Sequence, residues 1–302
     1  MASFLKYTDV PVFANFVNEN TDPIVSGSAH HLFAATEAAL SINPSLSPNR
    51  FLGKTQVPYD FATTGPLEGK FSFTFYPLIE LTQGQYTNIH TANQLAFFGL
   101  TGDFVSGHKI KFSNFLLKQC YLQNFSIKIN PYQPISVSAN FISYDITELK
   151  DVQIAKYADV LPTISKDSST SFEALHGLTT NFSGSSSYLP ETKVSIEINS
   201  DSQRTPIYTI GKQTPDSVVL NSLERTTTIQ GENVGSIVGV SGANVGSTNL
   251  YLLPLRYLNT YTPSSATNAF SLNINGKIIN QDLSVSQNSI LNGKLVIKEI
   301  FL

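Results

Sequence analysis

Apolar and polar residues alternate through most of this chain. Phe71-Ser72-Phe73-Thr74-Phe75 and Phe125-Ser126-Ile127-Lys128-Ile129 put every second side chain on an apolar face, the period of a half-buried strand. Asn130-Pro131-Tyr132-Gln133-Pro134 is turn-like, and Ile135-Ser136-Val137-Ser138-Ala139-Asn140-Phe141 alternates again, so the three segments predict a β-hairpin. Residues 194–198 and 295–300 predict further strands. Helical spacing is confined to 87–98 and 146–158, each long enough for a short helix. Residues 163–171 are polar and suit a linker, and 231–248 carry five glycines and suit a flexible loop.

The chain also repeats itself. A shift of 158 lays Phe112-Ser113 on Phe270-Ser271, Gln123 on Gln281, Phe125 on Leu283, Ser126 on Ser284, Ile127 on Val285 and Gly53-Lys54 on Gly211-Lys212. A shift of 156 lays Ile42-Asn43 on Ile198-Asn199 and Leu67-Glu68 on Leu223-Glu224. Their shared order predicts a duplication in which residues 30–150 and 178–302 have the same fold. Each copy reads as a first strand (38–42; 194–198), a turn with Gly-Lys and a long connection (64–69; 221–224). A returning strand follows (70–75; 226–230), then a closing hairpin (120–146; 278–301). The expected class is all-β with one or two short helices, as two tandem antiparallel β-sandwich or barrel domains. An arm (1–30), a first domain (31–162), a linker (163–177) and a second domain (178–302) complete the expected organisation.

Composition narrows the function. Of 302 residues only 41 are charged, while Ser, Thr and Asn number 86, so polarity comes from small hydrogen-bonding side chains. With 41% apolar residues the chain can bury a core. The net charge of −3 includes no basic stripe of the kind that neutralises phosphates, so specific nucleic-acid binding is not expected. Cys120 is the sole cysteine, which excludes an intrachain disulfide. No signal peptide is evident, and no apolar run reaches the ~18 residues of a membrane helix, so membrane insertion is not expected.

Motifs that carry chemistry are missing. Gly53-Lys54-Thr55 resembles the end of a phosphate-binding loop, but Pro48 stands where its first glycine belongs. No nucleophile elbow or dinucleotide fingerprint occurs. His30-His31 would point to opposite faces of a strand, and the remaining histidines lack acidic neighbours at ligand spacing. Cys120 lies in an apolar run and reads as a core thiol. The 20 Phe and 13 Tyr, with no Trp, read as sandwich core rather than a sugar platform. The expectation is a protein that is not an enzyme and has no metal or cofactor.

The segment 38–80 and the hairpin from Leu122-Gln123-Asn124-Phe125-Ser126-Ile127 to Ile135-Ser136-Val137-Ser138-Ala139-Asn140-Phe141 resemble the strands of bacteriophage tail tube proteins. The resemblance implies a structural virion protein that forms stacked rings, a passive conduit for DNA ejection, assembled in the host cytoplasm. Its partners would be itself and other tail proteins such as tape measure, sheath or baseplate, with DNA passing unbound. A duplicated subunit looks like those tubes in which a trimer makes a pseudo-sixfold ring; a hexamer is the alternative. A baseplate or tail-completion protein built on the same domain, or a carbohydrate-binding or hydrolytic β-sandwich of a tail fibre, are the other readings.

Two groups of residues follow from that picture. On the first hairpin Phe125, Ile127, Ile129, Val137, Ala139 and Phe141 should be core, leaving Ser126, Lys128, Ser136, Ser138 and Asn140 facing the channel or a partner. Val57, Tyr59, Phe61 and Leu67, on a connection broken by Pro58, Gly65, Pro66 and Gly69, are candidates for contact between rings, together with the arm at 1–28. The alternative is that both segments fold back on their own domain.

Overall fold

The computed structural model describes residues 12–16, 31–33, 35–43, 46–49, 60–63, 66–82, 85–87, 107–148, 170–183, 192–232, 242–245, 248–254, 270–285 and 292–301. In chain order the strands are β1 (Val12–Phe16), β2 (His31–Phe33), β3 (Ala35–Asn43), β4 (Leu46–Asn49), β5 (Asp60–Thr63), β6 (Glu68–Phe75), β7 (Leu78–Thr82), β8 (Gln85–Thr87) and β9 (His108–Phe112). Then come β10 (Phe115–Ile129), β11 (Ser136–Glu148), β12 (Thr170–Ser183), β13 (Thr192–Ile207), β14 (Ser217–Glu232), β15 (Thr248–Pro254), β16 (Phe270–Ile274), β17 (Lys277–Ser284) and β18 (Asn292–Phe301). The fold is all-β, and no helix occurs among the described residues. The two expected helices do not appear where they can be seen: 146–148 finish β11 and Thr87 ends β8. Their remaining residues lie outside the described ones.

Period-2 alternation dominates because one sheet carries most of the described residues. Its main path is β17-β18-β14-β13-β10-β11-β6-β3, antiparallel at every step, with β9 and then β1 and β2 attached beside β10. A second sheet, β16-β15-β12-β7-β8, covers one face, and both sheets contribute to a single hydrophobic core. That core holds Phe71, Phe73, Phe75, Phe125, Ile127, Ile129, Val137, Ala139 and Phe141 from the large sheet and Leu175, Leu250, Leu252 and Leu272 from the smaller one. Phe73 stacks on Phe75 and on Phe141, with ring centroids 5.5 and 6.1 Å apart, which locks β6 to β11.

Each half of the path has one order. Taken along the chain, β3, β6, β10 and β11 lie in space as first, second, fourth, third, and so do β13, β14, β17 and β18. The halves join edge to edge where β10 pairs with β13. The registers keep Ile42-Asn43 on Ile198-Asn199 but lay Glu68 on Thr226, so the expected match of Leu67-Glu68 with Leu223-Glu224 does not hold. Matching Ile42 to Ile198 matches their partners Gly69 and Thr227, and next Ser143 and Ile297. Four residues back, Ala139 and Gly293 pair with Phe125 and Leu283, 158 apart.

Two expectations change. Residues 221–224 are not a connection but the middle of β14, a 16-residue strand paired with β13 as one long hairpin. The first half makes the same hairpin in pieces, with β4–β5 as a separate two-stranded tip. The expected linker is not free either. Its residues 170–177 belong to β12, which pairs β7 of the first half and β15 of the second. Ile135 N–H donates to Leu175 C=O and Gly177 N–H to Gln133 C=O, so β12 is tied across the β10–β11 turn.

Candidate assembly interface

The face of the large sheet that turns away from the core is built from small polar side chains. Ser126, Lys128, Ser136, Ser138 and Asn140 all lie on it, since they alternate with the buried Phe125, Ile127, Ile129, Val137, Ala139 and Phe141. Cross-strand pairing carries the row beyond the hairpin: Thr74, Ser138, Ser126, Asn199, Thr226 and Lys298 are successive partners across six strands. Thr74 and Ser138 hydroxyls hydrogen-bond at 2.9 Å. Charges of both signs stand on this face, and Asp201 lies opposite Glu224. Lys128 stands opposite Glu197, and Lys298 Nζ lies 2.8 Å from Glu224 Oε2. Two shallow troughs of about 310 and 450 Å³ run over it, meeting at Ser138 and Asn140. The extension through β13, β14 and β18 was written in the polar phase of 194–198, 226–230 and 295–300, but only the registers align those phases on one face.

The two ends of the path are open edges. Among the described strands β3 pairs only with β6, and β17 only with β18. At β17 the apolar side chains are in the wrong place for an edge. Leu283 and Val285 are 41% and 69% exposed, whereas Phe125 and Ile127, at the corresponding places of the first half, are 2% and 0% exposed. Coverage explains the difference. The open side of β10 is divided between two neighbours, with β9 along Phe115 to Cys120 and β13 along Asn124 to Ile129. The corresponding side of β17 has its first neighbour in residues 242–245, where Gly242 and Val245 N–H groups donate to Ile278 and Gly276. Beyond Ile278 nothing described takes the place of β13. On the opposite edge, Leu40 and Ile42 are half-buried, while Ile196 and Ile198 of β13 are buried.

Local chemistry sets where β10 changes neighbours. A bulge between Leu122 and Asn124 breaks the ladder, leaving carbonyls without ladder partners. Ser202 Oγ donates to Leu122 O at 2.6 Å and to Gln123 O at 3.0 Å, and Arg204 Nε reaches Leu122 O at 3.4 Å. The Arg204 guanidinium lies over the Tyr121 ring, 5.2 Å from its centroid. Burial, and then the charge of Glu68, push the neighbouring Tyr144 phenol up to about 12.

The proposed inter-ring residues are only partly visible. Val57 and Tyr59 lie outside the described residues. Phe61 sits in β5 with its backbone opposite Pro48, and Leu67 is half-buried just before β6. A signal that sequence reading missed is the tip of the β13–β14 hairpin, where Ile207, Ile210 and Val219 are exposed and Ile210 is entirely so. The tip is held by the Lys212–Asp216 ion pair and by Thr209 donating to Asp216, which together keep the Asp216 carboxyl below its usual range.

Among the described residues no group of three or more His, Cys, Asp or Glu is placed to hold a metal ion. Cys120 is buried in the core, which pushes its thiol well up. No protein-family model matches the chain, and neither does any curated protein sequence.

Proposed function

We propose that the chain is a self-assembling structural subunit with two tube-like domains, and that its rings stack into a phage tail tube, a passive conduit for DNA. The observation that carries this reading is the eight-stranded antiparallel path with a twice-repeated strand order, one face packed on the core and the other lined with polar residues. An even number of strands leaves the two edges running in opposite directions, so copies can join antiparallel without limit until the sheet closes. Closure removes the edges that otherwise invite uncontrolled pairing.

Geometry favours three copies over six. At a strand spacing of about 4.8 Å and a tilt near 40°, twenty-four strands make a barrel roughly 48 Å across at the backbone. Inward side chains take roughly 5 Å on each side, leaving roughly 35–40 Å, room for a DNA duplex. Six copies would give a channel about twice as wide, and one copy would fill its own interior with side chains. A lining in which Lys128 faces Glu197 and Lys298 pairs with Glu224 presents no basic stripe, so DNA would pass without being held.

Electron microscopy of the concentrated, purified protein tests the reading. Annular particles and stacked tubes are expected. Single rings that never stack would indicate a baseplate or completion protein, and a lasting monomer that retains saccharide would overturn the tube in favour of a tail-fibre sandwich.

A further inference from the structure

The junction between the halves is a template for the junction between chains. β10 accepts β13 along Asn124 to Ile129, with Ser126 opposite Asn199 and Ile127 opposite Ile198. By the registers that relate the halves, Ser126 and Ile127 correspond to Ser284 and Val285, and Asn199 and Ile198 correspond to Asn43 and Ile42. The donor edge of β17 is already prepared. Residues 242–245 cover its start as β9 covers the start of β10, and the bulge between Ile278 and Asn280 falls where β10 has its own irregularity near Leu122. The part left open carries Leu283 and Val285, whose counterparts are among the most buried side chains in the molecule.

Resting on the ring reading above, we propose that the open edge of β17 is completed by β3 of a second copy, antiparallel, with Ser284 opposite Asn43 and Val285 opposite Ile42. Pairing is head to tail: β17 never meets β17, and β3 never meets β3. A two-fold β3–β3 pairing would leave both β17 edges, with Leu283 and Val285, in water. The head-to-tail junction repeats at every copy and closes a ring.

Cross-linking through introduced cysteines tests the register, with native Cys120 shielded in the core. The double variant Ser284→Cys with Asn43→Cys, in full-length assembled protein, is expected to oxidise into linked dimers and trimers, because directly opposite residues have Cβ atoms about 4.5–5.5 Å apart. Neither single variant should link, and Ser284→Cys with Glu37→Cys should not. Linked dimers from Asn43→Cys alone, or linking of the 37/284 pair in place of the 43/284 pair, would overturn the junction. Rings visible by microscopy without a 43/284 link would also overturn it while leaving the tube reading intact, whereas absence of rings in unmodified protein would remove the tube reading itself. A second variant, Leu283→Lys with Val285→Lys, is expected to keep the parent's far-ultraviolet circular dichroism while remaining monomeric; rings formed by it would equally contradict the junction.

Discussion

Arg225 and Glu299 form an ion pair in which both side chains are almost wholly buried. They sit at inward positions of β14 and β18, where alternation calls for apolar residues. The pair is satisfied further: Arg225 Nη2 donates to Asn273 O at 2.8 Å, Asn275 N–H donates to Glu299 Oε1 at 2.6 Å, and the guanidinium lies over Phe301. It therefore pins the β16–β17 turn, and with it the start of the open edge. Removing one partner strands the other charge, so Arg225→Ala should cost roughly 3–5 kcal/mol in denaturant unfolding. Arg225→Met with Glu299→Leu should recover most of that loss. With 221–224 read as a connection, the sequence assigned Arg225 no phase, and its partner lies 74 residues away.

Tyr144 gives a pH dependence. Its phenol is pushed up to about 12, by burial first and then by Glu68 and Tyr208, against the opposing pull of Arg204. The folded state thus favours the neutral phenol. That contribution is complete below the ordinary tyrosine value of about 10 and is lost as the pH rises toward 12. Thermal melts should show stability falling across that interval, and Tyr144→Phe should make the fall shallower. Tyr121 and Tyr208 are raised as well, so the fall should not vanish.

At the scale of elements, the crossing of β12 over the β10–β11 turn leaves no space at Gly177. A Cβ there would stand 1.8 Å from Asn130 O, a backbone atom that cannot rotate away. Gly177→Ala should destabilise the fold by roughly 1–3 kcal/mol, as overpacking does, measured by chemical unfolding. The β13–β14 tip behaves differently, because Ile207 and Ile210 are exposed. Ile207→Ser with Ile210→Ser should leave unfolding within about 0.5 kcal/mol of the parent. If the tip contacts the next ring, the same variant should raise the concentration needed for stacking in light scattering, since each buried side chain is worth roughly 1.5–3 kcal/mol.

What the sequence made legible follows from range. Alternation is local, so the hairpin at 125–141, its six core residues and its five polar ones could be read directly. The neighbour of each strand is a long-range choice. Nothing near Leu283 distinguishes it from Phe125; only the absence of a covering strand among the described residues does. β12 stayed hidden because its Ser-Thr-rich start reads as linker. The helices at 87–98 and 146–158 were suggested by spacing that a strand end also satisfies, and pairing with β10 decided in favour of strand for 146–148.

At the scale of the whole molecule, one sheet spans both halves and ends in two edges that match each other as its halves match internally. One end carries the exposed Leu283 and Val285 and the other the half-buried Leu40 and Ile42, which on the ring reading a second copy covers. On the ring reading, copies complete one another in a closed annulus, which reconstruction of purified particles by electron cryomicroscopy tests. Three chains with pseudo-sixfold modulation, a continuous twenty-four-stranded wall and Ser126, Ser138 and Asn140 on its inner surface are expected. A particle in which those residues face outward, or in which β3 and β17 remain unpaired, would contradict that reading.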